Sequence, residues 1–392
     1  MKAMILAAGK GTRVRPLTTV MPKPMLPLIQ KPVMECIIEH LKRQGFDQLV
    51  INTSYMSDSI EQYFKDGAQW GVNIAFSFEG KLENGQFVDQ PLGSAGGMRK
   101  IQDFSGFFDQ TFVVVCGDAL IDVDFGKVLD FHRQSGSIAT IVMKDVPREE
   151  VHKYGVVVTD DTGRIERFQE KPSIDEAAST TVNTGIYVFE PEIFDYIPSG
   201  IEYDIGGQLF PALVKAGAPF FGISLPFQWV DIGSLKDFWA ANRLILEGGV
   251  QGFSMPGKEV MPGVWCGLNV KANFDRINIK PPVFIGASTE IGDGSTLIGP
   301  TLIGSNCLIG GGANVIQSIV SDYTRVDGLA HLEETIVLAG QCIQPDGQVL
   351  NLEDAGLDWL IDDSRKKEVM DEETAALRRL LFEQNNQDAA AF

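Results

Sequence analysis

The sequence predicts an α/β domain followed by a solenoid of short β-strands. Three observations lead to this prediction. From residue 3 to about residue 247, short β-branched runs alternate with amphipathic stretches, the pattern of a sheet covered by helices. After Gly248-Gly249, glycine and proline crowd residues 252–282 and helical periodicity disappears. From residue 285 onward, aliphatic residues recur every six positions, a period that fits no helix.

The first domain, residues 1–248, is expected to contain alternating strands and helices. A helix is clearest at 33–44, where Ile37, Ile38 and Leu41 share one face and Gly45 follows as a C-terminal stop. Two further helices are expected at 57–66 and 234–247. The strands are predicted at 3–8, 48–52, 72–78, 111–117, 137–143, 154–159 and 184–190.

A hexad repeat defines the second domain, residues 283–344. Each hexad is expected to place one aliphatic side chain inside a stacked prism of short strands. Residues 249–282 are predicted to be a connector, and residues 345–392 a polar helical tail that could cover one end of the prism. The aliphatic positions, with a one-residue phase slip in the middle, are Ile285, Ile291, Leu297, Ile303, Ile309, Val315, Val320, Val326, Leu332 and Leu338.

The charge of the chain is unevenly distributed. The 33 Lys and Arg residues against 52 Asp and Glu residues give a net charge of −19, which argues against a nucleic-acid partner. Residues 1–34 nevertheless contain no acid, and they contain several basic side chains. A small anion is therefore expected to bind this segment. The basic residues are Lys2, Lys10, Arg13, Arg15, Lys23 and Lys31.

Composition also bounds the location and redox chemistry. No apolar run approaches the roughly 20 residues of a membrane span, and the start of the chain has too short an apolar stretch for a secretory signal. We expect a cytoplasmic protein that binds no membrane. The five cysteines are widely spaced without a CxxC pair, which favours reduced thiols over disulfides or a zinc site.

The first βα turn, Leu6–Pro16, has the properties of an anion-binding loop. Val14 replaces the third glycine of a dinucleotide fingerprint, and Lys10 precedes rather than follows the second glycine, so the loop is not a Walker A motif either. Small residues still allow backbone N–H groups to approach a triphosphate, and Lys10 and Arg13 supply positive charge. The alternative, a surface turn with incidental basic residues, is disfavoured because the uncompensated charges repel one another.

The loop LAAGKGTRVRPLT (6–18), followed by PKPMLPL (22–28), resembles the signature of the sugar-nucleotide pyrophosphorylases. These nucleotidyltransferases make an NDP-sugar and pyrophosphate from an NTP and a sugar 1-phosphate. The resemblance implies a Rossmann-like mixed sheet, and the hexad domain resembles the left-handed parallel β-helix of many members. Further motifs of the family follow in order: PLGSAGG (91–97), CGDAL (116–120), YGVV (154–157), FQEKP (168–172), NTGIYVF (183–189) and WVDIGS (229–234).

The resemblance implies a role for each site residue. Arg13 and Lys23 are expected on the triphosphate and Lys171 on the sugar phosphate, as catalytic residues. Asp118 and Asp231 are expected to hold Mg²⁺, which prefers oxygen ligands. The expected nucleotide-binding residues are Ala7, Ala8, Gly9, Gly11, Thr12, Gly93 and Gly117. The expected sugar-binding residues are Gly155, Glu170 and Asn183.

Several of these positions have a structural alternative. Asp118 could cap the turn that follows it, and Asp231 could cap the helix that starts near Ser234. The pair Glu170-Lys171 could belong to an ordinary surface turn. Asp122 and Asp124 are interpreted as surface acids, since the other positions of a calcium loop are absent.

The resemblance narrows the substrates further. The whole chain, including LDWLI (357–361), is similar to the uridylyl-transferring subfamily of cyanobacterial type, whose substrates are UTP and glucose 1-phosphate. Transfer of a guanylyl group from GTP to mannose 1-phosphate is the alternative. An acyltransferase would need a histidine base in the β-helix, where only His331 is available. A regulatory homologue would be expected to lack one of the catalytic residues. The β-helix is expected to support a homo-oligomer or to brace the catalytic domain.

Overall fold

The computed structural model describes residues 1–83 and 86–366, together with residues 376 and 380. The chain divides into two compact units. The first comprises residues 1–26 and 31–233, and the second comprises residues 27–30 and 234–392. No helix in the described part of the chain is long and apolar enough to cross a membrane.

The elements up to residue 246 follow the predicted alternation of strands and helices. The predicted strands and helices are all present, with ends displaced by no more than three residues. The helices are α1 (Val33–Arg43), α2 (Ser57–Phe64), α3 (Gly93–Ser105), α4 (Phe125–Gln134), α5 (Phe210–Ala216) and α6 (Leu235–Leu246). The strands are β1 (Lys2–Ala7), β2 (Pro27–Leu28), β3 (Lys31–Pro32), β4 (Gln48–Thr53), β5 (Asn73–Phe78), β6 (Gly80–Glu83), β7 (Gln86–Asp89), β8 (Phe112–Cys116), β9 (Ala119–Ile121), β10 (Ala139–Asp145), β11 (Gly155–Thr159), β12 (Ile165–Glu170), β13 (Thr181–Phe189), β14 (Phe220–Ser224) and β15 (Trp229–Asp231).

A nine-stranded mixed sheet forms the centre of the first unit. Its main path has the order β12-β11-β13-β8-β1-β4-β5, and β10 pairs with both β13 and β14. The strands β8, β1, β4 and β5 are parallel, whereas β13 runs antiparallel to β8. The Rossmann-like mixed sheet expected from the sequence is therefore confirmed. Parallel strands bring their carboxyl ends to one edge of the sheet, where ligands of open α/β sheets bind.

Helices cover both faces of this sheet. The alternation of side chains along β1 sends Ala3 and Ile5 into one core and Met4 into the other. Helices α1, α2 and α4 contribute buried residues to the first core, and α3 and α5 contribute to the second. The strands are buried on both sides, which explains their continuous apolar runs.

The second unit is a parallel β-helix with three sheets. Its strands are β16 (Lys258–Met261), β17 (Val264–Cys266), β18 (Lys271–Ala272), β19 (Asn278–Lys280), β20 (Val283–Ile285), β21 (Glu290–Ile291), β22 (Thr296–Ile298), β23 (Thr301–Ile303), β24 (Leu308–Ile309), β25 (Asn314–Ile316), β26 (Ile319–Val320), β27 (Thr324–Val326), β28 (His331–Glu333), β29 (Ile336–Leu338), β30 (Gln341–Ile343), β31 (Val349–Asn351) and β32 (Ile361–Asp363). The sheets have the orders β16-β17-β20-β23-β26-β29-β30-β31, β18-β21-β24-β27-β32 and β19-β22-β25-β28.

The hexad prediction is confirmed by burial. Nine of the ten aliphatic hexad positions are buried, and Leu338 is half-buried. Narrow side chains fill the positions between them, as the pattern indicated. Thr289, Ser295, Thr301, Cys307 and Ala313 are all fully buried.

Strand pairing in the second unit extends beyond the hexad segment at both ends. Residues 264–280, expected in a connector, form a first coil, since β17, β18 and β19 pair in parallel with β20, β21 and β22. Its inward residues Val264, Val270 and Ile277 do not keep a strict six-residue spacing, which concealed the coil. The predicted domain limits at 248, 282 and 344 remain predictions from the sequence.

The expected helical tail also begins differently. Residues 345–366 contain β31 and β32 instead of a helix, because β32 pairs antiparallel with β27 and Ile361 enters the apolar core. This segment therefore covers part of the β-helix, as the sequence suggested. Most of the remaining tail lies outside the described residues.

Candidate active site

Gly117 brings the chain after β8 against the end of β1. Its N–H donates to the carbonyl of Leu6 at 2.9 Å, and a Cβ at this position would lie 3.0 Å from the same oxygen. The predicted nucleotide-binding Gly117 is therefore also required for packing. Asp118 follows at the carboxyl edge of the sheet.

Asp118 and Asp231 meet because two short strands pair. In the ladder between β9 and β15, Ala119 lies opposite Asp231, and the Ile232 N–H donates to the carbonyl of Asp118 at 3.3 Å. The helix-capping alternative for Asp231 does not hold, because Ser234 caps α6 by accepting a hydrogen bond from the Asp237 N–H.

Lys23 places its ammonium between these two carboxylates. Its Nζ lies 2.5 Å from Asp118 Oδ2 and 3.5 Å from Asp231 Oδ1, and the residue is only 7% exposed. Burial lowers the pKa of Lys23, but the negative charges of Asp118 and Asp231 outweigh burial and raise it above its usual value. Lys23 therefore stays protonated, and it contacts the two carboxylates predicted to hold a metal ion.

The carboxylates of Asp118 and Asp231 are suitable ligands for a hard metal ion. Their oxygen donors match the preference of Mg²⁺, and a single positive charge already lies between them. Within residues 1–83 and 86–366, no group of three or more His, Cys, Asp or Glu residues is arranged to hold a metal. Phosphate oxygens and water would have to complete the coordination shell, as is usual for Mg²⁺.

The basic segment separates into paired and unpaired charges. Lys2 and Lys31 form ion pairs with Asp109 and Glu39 at 2.7 Å, and Lys23 is held as described. In contrast, Lys10, Arg13 and Arg15 are exposed, and none forms an ion pair with an acid in the part of the chain that the structure describes. All three lie on the loop after β1, so the unneutralised charge is concentrated where the sequence predicts a triphosphate.

The loop after β1 also depends on Gly11. Its φ of +61° lies in the left-handed region, and a Cβ there would approach the Cβ of Lys23 to 3.0 Å. The Thr18 hydroxyl donates to the carbonyl of Gly11 at 2.8 Å and holds the turn. Thr12 begins the short helical turn Thr12–Val14, and both Thr12 and Gly9 are exposed. Ala8 is half-buried beside Ala7, which is buried.

Gly93 begins α3 in close contact with the segment around Tyr203. Its φ is +70°, and a Cβ would lie 2.6 Å from the Tyr203 carbonyl oxygen. The same carbonyl accepts the Gly96 N–H at 2.8 Å. Gly93 is the first residue of α3, and the N–H groups of a helix N-terminus can bind a ligand.

The predicted sugar-binding residues lie on β11, β12 and β13. Gly155 pairs with Glu170, and a Cβ on Gly155 would meet the Phe168 ring at 2.4 Å. Lys171 is 60% exposed, with Nζ 3.4 Å from Glu170 Oε1. The structure thus brings Gly155, Glu170 and Lys171 together, and the exposed ammonium can bind an anion.

Asn183 is more constrained than the sequence suggested. Its Oδ1 accepts the Gly185 N–H at 2.9 Å, and its Nδ2 donates to the Tyr187 hydroxyl at 2.9 Å. The side chain is therefore fixed by its own strand. One hydrogen of Nδ2 and one lone pair of Oδ1 are left for a sugar hydroxyl.

Sequence reasoning missed Ser94 and Asp204. The Ser94 hydroxyl donates to Asp204 Oδ2 at 2.8 Å and accepts the Ile205 N–H at 2.8 Å. A Cβ on Gly206 would lie 2.6 Å from Glu170 Oε2, so this turn adjoins the predicted sugar side. Asp204 was missed because it belongs to none of the motifs named above. In the structure it contacts Ser94 of the PLGSAGG segment, at the start of α3.

Comparison with known proteins agrees with this geometry. Residues 2–248 match the family model described as nucleotidyl transferase. The chain is 54% identical over 365 residues to a UTP–glucose-1-phosphate uridylyltransferase from Synechocystis sp., an alignment that covers 93% of this chain and 94% of the relative. It is 36% identical over 252 residues to the catalytic subunit beta of a mannose-1-phosphate guanylyltransferase from Xenopus tropicalis, covering 63% and 65% of the two chains.

Solved structures share the fold of part of this chain. A candidate glucose-1-phosphate thymidylyltransferase from Bacillus anthracis is 25% identical, with a TM-score of 0.54, and the match covers 65% of this chain and 98% of that chain. A UDP-glucose pyrophosphorylase bound to UDP-glucose is 22% identical, with a TM-score of 0.52, and the match covers 63% and 98%. The latter likeness concerns the fold alone.

Proposed function

Because the chain belongs to the nucleotidyl transferase family, we propose that it forms UDP-glucose and pyrophosphate from UTP and glucose 1-phosphate. The observation that supports the reaction class is the meeting of an unneutralised cationic loop with two carboxylates at one sheet edge. The relative that is 54% identical over both units supports the choice of UTP and glucose 1-phosphate.

The reaction requires charge neutralisation and alignment more than covalent catalysis. A phosphate oxygen of the sugar phosphate attacks the α-phosphorus of UTP, a new P–O bond forms, and the bond to the β-phosphate breaks to release pyrophosphate. Both reactants are anions, so they approach only where cations offset their charge. Arg13, with Lys10 beside it, binds the triphosphate and stabilises the charge on the leaving pyrophosphate.

Lys171 and Glu170 orient the second substrate. The exposed ammonium of Lys171 binds the sugar phosphate, and the Glu170 carboxylate accepts hydrogen bonds from ring hydroxyls. Asn183 offers its remaining N–H to a further hydroxyl. Gly155 lets its backbone lie against Phe168 and Glu170, since a side chain there would collide with the Phe168 ring.

Asp118 and Asp231 would hold Mg²⁺ in this proposal. When bound, the ion supplies positive charge to the phosphate oxygens. Lys23 keeps the two carboxylates together and faces the same region, so its ammonium is available to a phosphate oxygen that enters. A cytoplasmic location and a homo-oligomeric state stay predictions from the sequence.

GTP and mannose 1-phosphate are the alternative substrates. The guanylyltransferase relatives at 36% identity favour this pair, although their alignment covers only 63% of the chain. The half-buried Ala8 leaves less room for a base than a glycine would, and this favours a pyrimidine over guanine.

A matrix of pyrophosphate release tests the proposal. The four NTPs are each combined with glucose, mannose and N-acetylglucosamine 1-phosphates in the presence of Mg²⁺, and kcat/KM is measured for every pair. We expect UTP with glucose 1-phosphate to exceed every other pair by at least about tenfold, about 1.4 kcal/mol in barrier. Release with GTP and mannose 1-phosphate but none with UTP and glucose 1-phosphate would overturn the substrate assignment.

A further inference from the structure

A buried polar pair lies beneath the predicted nucleotide loops, outside the set of predicted site residues. Asn52 stands near the carboxyl end of β4 and is 2% exposed. Glu79 directly follows β5 and is 3% exposed. Neither residue belongs to the motifs that indicated the function.

Three hydrogen bonds connect the two predicted base-binding segments through this pair. Asn52 Oδ1 accepts the Ala7 N–H at 2.9 Å, and Asn52 Nδ2 donates to Glu79 Oε1 at 2.5 Å. Glu79 Oε2 then accepts the Leu92 N–H at 3.2 Å. Ala7 ends β1, and Leu92 immediately precedes Gly93 and α3. The chain of bonds therefore spans from one nucleotide loop to the other.

The pair is costly to bury, so packing alone does not account for it. Burial raises the pKa of Glu79, while hydrogen bonds from Asn52 and Leu92 and the charge of Lys100 oppose the increase. A well-packed apolar pair of similar volume would avoid this desolvation cost. An apolar pair would form no directional contacts, whereas hydrogen bonds from Asn52 and Glu79 fix the positions of the Ala7 and Leu92 N–H groups.

The surroundings are shaped to admit the carboxylate. A Cβ on Gly97 would lie 2.5 Å from Glu79 Oε1 and 3.3 Å from Asn52 Nδ2, so α3 can pass this close only as glycine. The main chain of Glu79 is also fixed, because its N–H donates to the Thr53 carbonyl at 2.7 Å and its carbonyl accepts the Gln90 N–H at 3.2 Å. The carboxylate therefore has little freedom to move.

We propose that Asn52 and Glu79 are positioning residues that set the spacing between the loop at Ala7 and the loop at Leu92-Gly93, and thereby the fit of the nucleobase. This inference rests on the proposed function, in which the base lies between Ala7–Gly9 and Gly93. Backbone groups that read a base edge must lie within hydrogen-bond distance, so a shift of a few tenths of an ångström in either loop weakens binding.

Because Asn52 supplies the donor and Glu79 the acceptor of the bond between them, exchanging the amide and the carboxylate should restore the hydrogen bonds that each single substitution breaks. Glu79→Gln removes one of the two acceptors, and Asn52→Asp places two carboxylates face to face. The combined change, Asn52→Asp with Glu79→Gln, reverses the pair and restores all three bonds. The carboxylate at position 52 would accept from the Ala7 N–H and from the amide at position 79, whose oxygen would accept the Leu92 N–H.

We expect each single variant to raise KM for UTP about tenfold and the reversed pair to bring it back to within about threefold of wild type. KM for glucose 1-phosphate should change by less than about twofold in all three. Calorimetric titration with UTP alone gives the same ranking without turnover. Glu35→Gln is the matched control, since Glu35 is a buried carboxylate that accepts the Tyr63 hydroxyl at 2.6 Å, away from these loops.

A purely structural role would give a different result. Equal changes in both KM values, the same change in Glu35→Gln, or a reversed pair no better than the singles would overturn the inference. If a single variant is insoluble, the UTP affinity of the reversed pair is compared with that of wild type alone. Failure of the reversed pair to bind UTP overturns the positioning role. A wild type that prefers another NTP would refute the proposed substrate, and the same variants would then be measured with that NTP.

Discussion

Lys23 is a buried ammonium whose partners are the two carboxylates that would hold a metal ion. With Nζ at 2.5 Å from Asp118 and 3.5 Å from Asp231, it offsets their mutual repulsion before any metal is bound. The arrangement of these side chains is therefore expected to persist in the presence of a chelator. Asp118 then matters twice, as the partner of Lys23 and as a ligand.

Asp118→Asn is expected to lower kcat/KM by at least about 100-fold, because the neutral amide weakens both metal binding and the hold on Lys23. Pyrophosphate release at saturating Mg²⁺ measures the change. Asp124→Asn is the matched control, since Asp124 caps α4 through the Lys127 N–H and should affect stability only. Turnover of Asp118→Asn within about tenfold of wild type, about 1.4 kcal/mol, would contradict the metal assignment.

Two buried histidines make stability depend on pH. The His40 Nε2–H donates to the Val123 carbonyl at 2.8 Å, and burial lowers the pKa of His40. Burial likewise lowers the pKa of His132 beside Thr140 and Glu190. A histidine with a lowered pKa in the folded state binds its proton first in the unfolded state.

The unfolding free energy is therefore expected to fall as the pH drops through about 6.5, the unfolded imidazole value. Urea unfolding at pH 7.5 and pH 5.5 measures this, with an expected loss of about 1 kcal/mol or more for the two sites together. His40→Gln should reduce the difference between the two pH values, whereas His331→Gln on an exposed strand position should leave it unchanged. A protein more stable at pH 5.5 would contradict the assignment.

Individual residues show which parts of the candidate site can be predicted from the sequence. The sequence shows the positive charge of residues 1–34, and it shows that Lys10, Arg13 and Arg15 lie on the loop after β1. The sequence does not show that Lys2 and Lys23 are paired with acids about 100 residues along the chain, or that Lys31 is paired with Glu39. Asn52 and Glu79 were missed for the same reason, because a hydrogen bond across 27 residues leaves no local pattern.

Among the elements, the strands were easier to predict than α3. This helix, GSAGGMRKIQDFS, contains three glycines and has low intrinsic helix propensity. It forms because Ala95, Met98 and Ile101 pack into the core of the first unit. Packing that comes from distant residues therefore overrides a weak local preference, and the sequence alone could not reveal it.

The glycines that follow the hexad positions provide a test of the β-helix. A Cβ on Gly286 would lie 2.4 Å from the carbonyl carbon of Gly304 and 2.5 Å from the nitrogen of Ser305 in the next coil, and backbone cannot move aside as a side chain can. Gly286→Ala is expected to destabilise the second unit by about 2 kcal/mol or more.

The measurement for Gly286→Ala is thermal unfolding followed by circular dichroism in the β region. Thr296→Ala provides the control, because Thr296 is half-buried on a neighbouring strand and lacks this backbone approach. Equal melting temperatures for Gly286→Ala and wild type would show that the coils are not as close as described.

At the scale of the whole molecule, the ends of the second unit were the hardest to predict. The hexads between 285 and 332 followed the expected spacing, including the phase slip, but Val337 instead of Leu338 takes the next inward position. The first coil and the covering strands β31 and β32 did not, since their inward residues, Ile277, Leu352 and Ile361, are set by tertiary contacts instead of a period.

A stop after residue 344 should expose the end of this β-helix. It removes β32 from its antiparallel pairing with β27 and takes Leu352 and Ile361 out of the core. We expect a lower melting temperature and a larger mass by light scattering, because uncovered strand edges associate. A stop after residue 366 is the control and should retain both properties. A soluble 344-residue product with unchanged mass and melting temperature would show that residues 345–366 do not serve as a cover.

The stacking of similar coils also means that the length of the second unit increases in steps of one coil. Val283 pairs with Thr301 and Ile319 pairs with Ile336, so one turn takes 18 or 17 residues and advances the stack by one strand spacing, about 4.8 Å. A gene that gained or lost one such segment would encode a longer or shorter prism with the same cross-section. Evolution can thus change the reach of this unit in discrete steps without redesigning its core.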